Sequence, residues 1–535
     1  MSSQQTSTKV DQPPNLQPER QAVDPSQWAV AAPCSSEQFK TRTHQNKPFA
    51  RQWNHYLSSE SASRTGSTLK NAFKHLKNPN MISLGGGLPL SDYFPFESLS
   101  LTISLPEKPK SEKSQPENGD LNGANAPLHA SKCDINQGRS IYDLSVALNY
   151  SQGSGSAQFL RWITEHTEIV HDPLYADWQC TMTVGNTSAL DMALRMFTQP
   201  GDYVLSDEYT FATAMETAKP MGVKFTGVKM DKEGMRPDSL RETLEKWDPT
   251  AHANSRKPFL LYLIPTGQNP TGSTQSLERR REIYRIAQEH DLIILEDDPY
   301  YFLQMDSFSP QERGDPTTCG PQKPSNLLKS IVPSYLSMDT DGRVVRMDSF
   351  SKVVSPGVRL GWLTAPQQVI EQYKNHADVS TQGPGGLSQL ALFKLLDEHW
   401  GHTGYLEWLT HIRKEYTDRR DFMIQACERY LPRTITSWEP AQAGMFQWLA
   451  VDWRKHPDAK IKSALQIEEE IWLKGISNGA LVACGSWFRA TEDSSCNEVF
   501  YRATFAAASL EQIEEAVMRF GEALKTCFHL SDTVE

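Results

Sequence analysis

The sequence lacks the features that would place the protein in a membrane or on a nucleic acid. It has no run of about 18 apolar residues, the length that a membrane-spanning helix requires. It also has no long Lys/Arg run, and its net charge is −11, from 54 basic and 65 acidic residues. The short basic cluster Arg279–Arg281 is flanked by Glu278 and Glu282, which is typical of a solvated helix face. We therefore expect neither a membrane nor a nucleic-acid partner.

Cysteines are few and scattered along the chain. Eight occur in 535 residues and none forms a Cys-x-x-Cys pair, so we expect free thiols in a reducing compartment, with no disulfide framework and no metal site. The N-terminus has no apolar signal core, and it is too rich in Gln, Pro and Asp to resemble an Arg-rich transit peptide. The last residues, Asp532–Glu535, match no retention or peroxisomal address. These absences predict a cytoplasmic protein.

Polar tracts interrupt the chain and account for its low apolar fraction of 38%. They cover 1–50, which we interpret as a polar N-terminal arm, about 107–139, interpreted as a surface insertion, and about 304–330. The length predicts two or three compact units. We assign 51–95 to the N-terminal segment of a small domain, 96–385 to a large domain that contains the insertion, and 386–535 to the C-terminal small domain.

Short apolar runs alternate with helical patterns in the predicted large domain. This alternation is typical of an α/β domain built around a mainly parallel sheet. The predicted helices are Ala189–Phe197 and Leu277–Glu289, and the predicted strands are Tyr203–Leu205, Val223–Val228, Phe259–Ile264, Leu292–Leu295, Val344–Met347 and Arg359–Leu363. After about Leu387, long helical patterns (Leu387–His399, Tyr405–Tyr430) precede the strand-like Met445–Val451 and Tyr501–Ala506 and a last helix from Leu510, which predicts a smaller α+β domain.

Polar residues follow several of these apolar runs. In open α/β sheets, ligands bind at the carboxyl ends of the strands, so these are the candidate site residues. In chain order they are Gly185, Asn186 and Thr187, then Asn269, then Asp297 and Tyr300, then Ser349 and Lys352.

Four motifs, three of which contain residues of this set, resemble those of the class I/II aminotransferases of fold type I. They are Asp348–Lys352 with Gly357 and Arg359 after it, the turn Asn269–Gly272, the strand end Glu296–Tyr300, and Tyr501-Arg502. Within that superfamily, Ser83–Pro89 and Glu296–Leu303 most resemble the aromatic and the kynurenine/2-aminoadipate aminotransferases. The resemblance implies a large domain with a mainly parallel seven-stranded sheet flanked by helices, a smaller α+β domain, and pyridoxal 5'-phosphate (PLP) as cofactor.

The resemblance also implies roles for the residues around the cofactor ring. Lys352 would hold PLP as a Schiff base and, once displaced, move a proton between the substrate α-carbon and the cofactor. Asp297 would keep the pyridine nitrogen protonated, with Asp298 as the alternative. Tyr300 and Asn269 would hydrogen-bond the phenolate oxygen. Phe211 would stack on the ring.

The remaining implied roles concern the phosphate, the substrate and a second subunit. Backbone N–H groups of Gly185, Asn186 and Thr187 at a helix start would bind the phosphate, with Ser349 and Arg359 completing the cradle. The substrate-binding residues would be Arg502, which takes the α-carboxylate, Asn269, and Gly87, where the N-terminal segment closes over the substrate. Tyr150 would reach the phosphate of a neighbouring subunit, which implies a homodimer with shared active sites.

The function that follows from the resemblance is a ping-pong transamination. The amino group of an aromatic, kynurenine-like or 2-aminoadipate-like amino acid would pass to 2-oxoglutarate. Another PLP reaction on the same fold, such as β-elimination or decarboxylation, would use the same residues and stays open. A PLP-binding transcription regulator is disfavoured because 1–50 lacks basic helical periodicity. A non-catalytic scaffold is disfavoured because Lys352, Asp297 and Arg502 are all present.

Overall fold

The strands of the chain form one large sheet and three smaller ones. A computed structural model describes residues 32–42, 46–78, 80–103, 127–308, 324–491 and 497–530. Its strands are β1 (Ser98–Leu101), β2 (Leu128–Ser131), β3 (Trp178–Thr183), β4 (Tyr203–Asp207), β5 (Lys224–Val228), β6 (Met230–Asp231), β7 (Gly234–Met235), β8 (Leu260–Leu263), β9 (Ile293–Asp297), β10 (Val344–Ser349), β11 (Gly361–Pro366), β12 (Thr436–Ser437), β13 (Phe446–Val451), β14 (Ala483–Cys484) and β15 (Val499–Thr504).

The α-helices alternate with the strands of the large sheet and become longer in the C-terminal part. They are α1 (Ser59–Ala62), α2 (Thr68–Ala72), α3 (Leu144–Ala147), α4 (Ala157–Val170), α5 (Asn186–Phe197), α6 (Ala212–Ala218), α7 (Pro237–Glu245), α8 (Leu277–Glu289), α9 (Pro324–Ser330), α10 (Gln367–Ala377), α11 (Gly386–Phe393), α12 (Gly401–Tyr430), α13 (Ala464–Ser477) and α14 (Leu510–Cys527). A π-helical stretch, Lys394–Trp400, joins α11 to α12. Within the described residues, no helix has the length and apolar character needed to cross a membrane.

The large sheet has seven strands in the order β3-β11-β10-β9-β8-β4-β5. Five of them run parallel from β10 to β5, and β11 is antiparallel to both of its neighbours. Every residue of β3, β8, β9, β10 and β11 is buried, as expected for a sheet covered by helices on both faces. The predicted mainly parallel seven-stranded sheet is confirmed.

The predicted elements of this domain are confirmed, with one strand displaced. We predicted a strand over Arg359–Leu363, but β11 begins at Gly361. Arg359 has a φ of +48° and ends a short 3-10 helix, Pro356–Val358, so its backbone is left-handed and cannot enter the sheet. The residue that we predicted inside a strand therefore lies in the loop before it.

The described part of the N-terminal arm packs on the large domain. Phe39 is buried in its core, and the Ser36 hydroxyl accepts a hydrogen bond from the Cys180 backbone N–H of β3 (2.8 Å). Residues 1–31 and 43–45 lie outside the described residues. The polar composition of the arm did not predict this packing, because a few apolar side chains are enough to attach the described residues to the sheet.

The segment 51–72 also contacts the large domain, and the assignment of 51–95 to the small domain stays a prediction. The Trp53 ring is buried beneath the Arg343 guanidinium, 5.1 Å from its centre, and Tyr56 stacks on Phe259 at 4.3 Å. Two aromatic side chains bury more apolar area than the polar residues around them, and the apolar surface available to them is that of the sheet domain. The other predicted domain boundaries stay predictions.

The predicted insertion at 107–139 contains an ordered strand. β2 pairs antiparallel with β1, and the loop after it turns about Asp134, which is buried and lies 2.7 Å from the Arg139 guanidinium. Residues 104–126 lie outside the described part of the chain, as do residues 309–323 of the third polar tract. Residues 127–139, the described end of the tract 107–139, are therefore part of the fold.

The C-terminal part forms a second layer with its own core. β12, β13, β15 and β14 make an antiparallel four-stranded sheet, and α12, α13 and α14 pack with it around a separate cluster of buried residues. Tyr501 and Leu449 are buried in that core, while Phe446 belongs to the core of the large domain. Since neighbours in a strand point to opposite faces, Arg502 lies on the face directed at the large domain.

Candidate active site

The candidate site is built at the carboxyl ends of neighbouring parallel strands. Met347 of β10 pairs with Asp297 of β9, and Leu263 of β8 pairs with Glu296, so the ends of the three strands lie side by side. The residues that follow them, Asn269, Tyr300 and Lys352, are therefore brought to one edge of the sheet. This is the arrangement that we expected from the chain order of the polar residues.

Asp297 is buried and held by two hydrogen bonds. The Asn186 amide donates to its Oδ1 (2.7 Å), and the Tyr262 hydroxyl donates to its Oδ2 (2.7 Å). Burial raises the pKa of Asp297, while these two donors and the charges of Arg346 and Lys352 act to lower its pKa. The two hydrogen bonds thus fix the orientation of the carboxylate, and its oxygens can still accept a hydrogen bond from a further donor in the site.

The Asn186 side chain supports Asp297. Its amide also donates to the Met347 carbonyl (2.9 Å), so the side chain points to Asp297 and β10 and not to the phosphate cradle. The reason is that Asn186 begins α5 directly beside the end of β10. Its backbone N–H remains at the helix N-terminus, where the predicted backbone role stays open.

Asp298, the alternative to Asp297, faces another group. Its Oδ2 accepts from the Thr266 hydroxyl (3.0 Å) and lies 3.4 Å from the Arg346 guanidinium. Arg346 is fully buried and also pairs with Glu296 (2.9 Å) and Asp348 (2.8 Å). A buried cation needs such anionic partners, so Asp298 belongs to a structural ion network behind the site.

Lys352 is half-buried among positive charges. Burial lowers the pKa of its amine first, and the guanidinium groups of Arg359 and Arg502 lower that pKa further, against the opposing effect of Asp297. A lower pKa increases the share of neutral amine near pH 7, which is the nucleophilic form. The electrostatics of the site therefore favour a reactive amine at this position.

Gly185 and Arg359 lie against each other at the start of α5. Gly185 has a φ of +79°, and a Cβ added to it would lie 2.6 Å from Arg359 Nη2, so only glycine fits there. Arg359 itself is exposed, and its Nη1 donates to the Pro356 carbonyl (2.9 Å). Ser349 Oγ donates to Ser351 Oγ (2.8 Å). Two hydroxyls, a guanidinium and a helix N-terminus thus meet in one place, a combination suited to an anion.

Arg502 reaches the site from the small domain. Its Nη1 donates to Asn269 Oδ1 (2.7 Å) across the interface between the two layers. Burial lowers the pKa of Arg502, and burial together with the Asp297 charge raises the pKa of Tyr300. Asn269 and Arg502 therefore form a hydrogen-bonded pair, and the charge of Arg502 acts on Tyr300.

Four further predicted site residues differ in their exposure. Phe211 is half-buried at the start of α6, Thr187 and Gly87 are exposed, and the Tyr150 side chain is 56% exposed. Within the described residues, no hydrogen bond, ion pair or ring contact joins any of them to Lys352 or Asp297. Their predicted roles stay predictions.

Sequence reasoning missed several side chains of the site. Tyr262 lies inside an apolar strand and resembles a core residue. Phe446 and Phe488, whose ring centres lie 4.3 and 4.7 Å from the Arg502 guanidinium carbon, also resemble core residues in the sequence. Ser351 follows Ser349 in the lysine motif and could have been included from its position. For the aromatic residues no local signal exists, because their partners lie on other strands.

Comparison with known proteins supports this reading of the geometry. Residues 122–520 match the family described as aminotransferase class I and II. The chain is 44% identical to an aromatic amino acid aminotransferase of Schizosaccharomyces pombe over 478 residues, which covers 89% of this chain and 98% of that protein. It is 32% identical to the mitochondrial kynurenine/alpha-aminoadipate aminotransferase of Bos taurus over 481 residues, 88% and 98% of the two chains.

A solved structure shows the same fold. The crystal structure of the aminotransferase Aro8 from Candida albicans superposes with a TM-score of 0.82 at 40% identity, covering 90% of this chain and all of that one. The chain belongs to the class I and II aminotransferase family. It is an aminotransferase of the fold-type I architecture, and it resembles the aromatic amino acid aminotransferases within that class.

Proposed function

We propose that the protein transfers the amino group of an aromatic, kynurenine-like or 2-aminoadipate-like amino acid to 2-oxoglutarate, with PLP bound at Lys352. The observation that carries this proposal is the position of Lys352, which follows β10, the strand that pairs with the buried Asp297 of β9. Burial and two guanidinium groups also lower the pKa of its amine. The names of its relatives, an aromatic amino acid aminotransferase and a kynurenine/alpha-aminoadipate aminotransferase, support the substrate class.

The residues present fit PLP at three points. Asp297 offers a buried carboxylate for the ring nitrogen, with its orientation set by Asn186 and Tyr262. Gly185, Ser349 and Arg359 offer an anion cradle for the phosphate. Lys352 offers the amine that attaches the aldehyde. When bound, the cofactor supplies an electron sink for the electrons of the substrate Cα–H bond.

The chain's own residues would position the substrate and move its proton. Arg502 would take the α-carboxylate through the guanidinium N–H groups that do not donate to Asn269. The neutral Lys352 amine would take the proton from the substrate α-carbon and deliver it to the aldehyde-derived carbon (C4′) of the cofactor. Tyr300 and Asn269, on the Arg502 side, would donate hydrogen bonds to the ring oxygen.

The proposal predicts that the purified protein with PLP forms glutamate from 2-oxoglutarate when phenylalanine, tyrosine, kynurenine or 2-aminoadipate is supplied. Glutamate should not form when either substrate is omitted. Release of ammonia or carbon dioxide from the amino acid, without glutamate, would instead identify β-elimination or decarboxylation. These products are separated by chromatography of the reaction mixture.

We also propose a homodimer with shared active sites. The segment 81–96 exposes large apolar side chains, among them Ile82 (87%) and Leu84 (96%), and the Asn149 amide donates to the Pro89 carbonyl (3.0 Å) and so joins this segment to the surface of Tyr150. Contiguous exposed apolar surface of this kind marks an interface. A cytoplasmic location stays a prediction of the sequence.

The dimer predicts a solution mass of twice that of the chain by light scattering. Ile82→Asp together with Leu84→Asp should shift the protein to the monomer, because burying two carboxylates without partners opposes association. Leu481→Asp is the matched control, since Leu481 is also highly exposed (79%) but lies on the small domain. A wild-type monomer at micromolar concentration, or dissociation by Leu481→Asp alone, would contradict the proposed interface.

A further inference from the structure

We infer that Phe446 and Phe488 are positioning residues for Arg502, and that their rings hold the guanidinium where it binds the substrate α-carboxylate. The guanidinium carbon lies 4.3 Å from the centre of the Phe446 ring and 4.7 Å from that of Phe488. We call these two rings the aromatic clamp. The inference rests on the proposed function, because it gives the clamp a role in substrate binding.

The charge of Arg502 has no anionic partner among the residues that the structure describes. Within the described residues, no carboxylate lies within 4.0 Å of its guanidinium, and its side-chain hydrogen bond goes to the neutral amide of Asn269. The buried Arg346, by contrast, pairs with three carboxylates. Ring faces attract a cation through their quadrupole without neutralising it or occupying its N–H groups. The clamp thus holds a half-buried guanidinium whose charge and remaining donors stay available to an incoming anion.

Both rings are fixed by their surroundings. Phe446 and Phe488 are 9% and 4% exposed, and the edge of Phe446 also meets the ring of Tyr300 at 6.0 Å. Phe488 ends a 3-10 helix, Gly485–Phe488, in the small domain. The ring positions therefore determine how far the guanidinium lies from the side chains around Asp297.

The backbone of Phe488 is also tied to the large domain. Its carbonyl accepts from the Thr210 N–H (2.7 Å), and the Ala490 N–H donates to the Glu208 carbonyl (2.9 Å). These two hydrogen bonds join the clamp to the turn that immediately precedes Phe211, the predicted ring-stacking residue. The clamp consequently positions Arg502 relative to the cofactor side of the site as well as within the small domain.

A role in carboxylate positioning has a distinctive kinetic consequence. The amino acid and the 2-oxo acid present the same α-carboxylate to the same Arg502 in the two half-reactions. Loss of the clamp should therefore raise KM for every substrate by the same factor, whatever its side chain. A role as the wall of a side-chain pocket would instead change KM differently for aromatic and for acidic substrates.

The test compares Phe488→Leu and Phe446→Leu with the wild-type holoenzyme. We expect each to raise KM for phenylalanine, 2-aminoadipate and 2-oxoglutarate alike by about tenfold, or about 1.4 kcal/mol, with kcat changed less than about threefold. Phe488→Tyr keeps the ring face and should restore KM. Phe500→Leu is the matched control, because Phe500 lies two residues before Arg502 in β15 but stacks on Trp448 (5.0 Å).

Four results would overturn the inference. They are unchanged KM values in both leucine variants, a KM increase that depends on the substrate side chain, an equal increase in Phe500→Leu, and a loss of kcat with constant KM. Cofactor absorption equal to that of the wild type shows that a variant is folded and loaded.

A second measurement separates this inference from the proposed function. Calorimetric titration with 3-phenylpropionate and with glutarate, two carboxylates that have no amine and cannot react, measures carboxylate binding with an aromatic and with an acidic side chain, and the clamp predicts the same change in Kd for both. We expect a Kd about tenfold higher for Phe488→Leu than for the wild type. If the wild type makes no glutamate but shows this difference in Kd, the proposed function fails and the clamp stands. If glutamate forms and the Kd values are equal, the clamp fails alone.

Discussion

Replacing Lys352 by alanine should remove the visible absorption of the bound cofactor and lower the rate of glutamate formation by about 100- to 10,000-fold. The physical reason is that this side chain supplies both the covalent attachment and the base that moves the substrate proton. The environment of its amine supports this expectation, because burial and the charges of Arg359 and Arg502 lower the pKa of Lys352. Absorption spectra and rates of the purified variant check it.

The variant Lys352→Arg distinguishes the amine from its charge. Arginine keeps a positive charge near Asp297 but stays protonated, so it can neither attach an aldehyde nor accept a proton. We expect it to lose absorption and activity as completely as the alanine variant. An unchanged spectrum in both variants would place the cofactor elsewhere and leave the proposed function without its central residue.

Asp297→Asn should lower kcat/KM by about 100- to 1,000-fold while the cofactor stays bound. An amide carries no charge to hold the ring nitrogen protonated, so the electron sink weakens. The hydrogen bonds from Asn186 and Tyr262 direct both oxygens of the carboxylate, and for that reason a neutral replacement cannot reproduce the field of the native side chain. Steady-state rates and the absorption of the loaded variant measure the two effects separately.

Asp298→Asn is the matched control for this prediction. Asp298 is the adjacent residue and equally buried, but its carboxylate faces Thr266 and Arg346. We expect it to lower the free energy of unfolding by about 1–3 kcal/mol, with kcat/KM changed less than about threefold. Denaturant unfolding and the same rate assay test both points. A larger loss of activity in Asp298→Asn than in Asp297→Asn would reverse the two assignments.

Much of the large domain could be predicted because its elements have strong local signals. The buried strands β8, β9 and β10 are continuous apolar runs, and helix α8 carries a regular charged pattern that predicted its bounds, Leu277–Glu289. The small N-terminal elements were harder. The contacts of Trp53 and Tyr56 with Arg343 and Phe259 join residues that are about 200 to 300 positions apart in the chain, and no local pattern contains that information.

Some residues of the site could likewise be predicted from the sequence, whereas their contacts depended on the three-dimensional packing. Asp297, Ser349 and Lys352 could be found from the sequence, since they directly follow apolar strands and match the motifs of a family. Which atoms Asp297 contacts depended on the order of the strands in the sheet. β9 lies between β8 and β10, so Tyr262 of β8 and Asn186, beside the end of β10, both reach the carboxylate.

The sequence by itself determined the class of sheet, the order of the motifs and the residue types that meet at the carboxyl edge. These features follow from the periodicity of apolar residues and from the positions of the motifs along the chain, and both can be read from each segment by itself. The tertiary structure alone decided that Asn186 supports a carboxylate, that Asp298 joins the Arg346 network, and that Phe446 and Phe488 contact Arg502. Directed contacts of this kind arise only when two separate layers pack, because each partner looks like an ordinary core or surface residue until the other is in place.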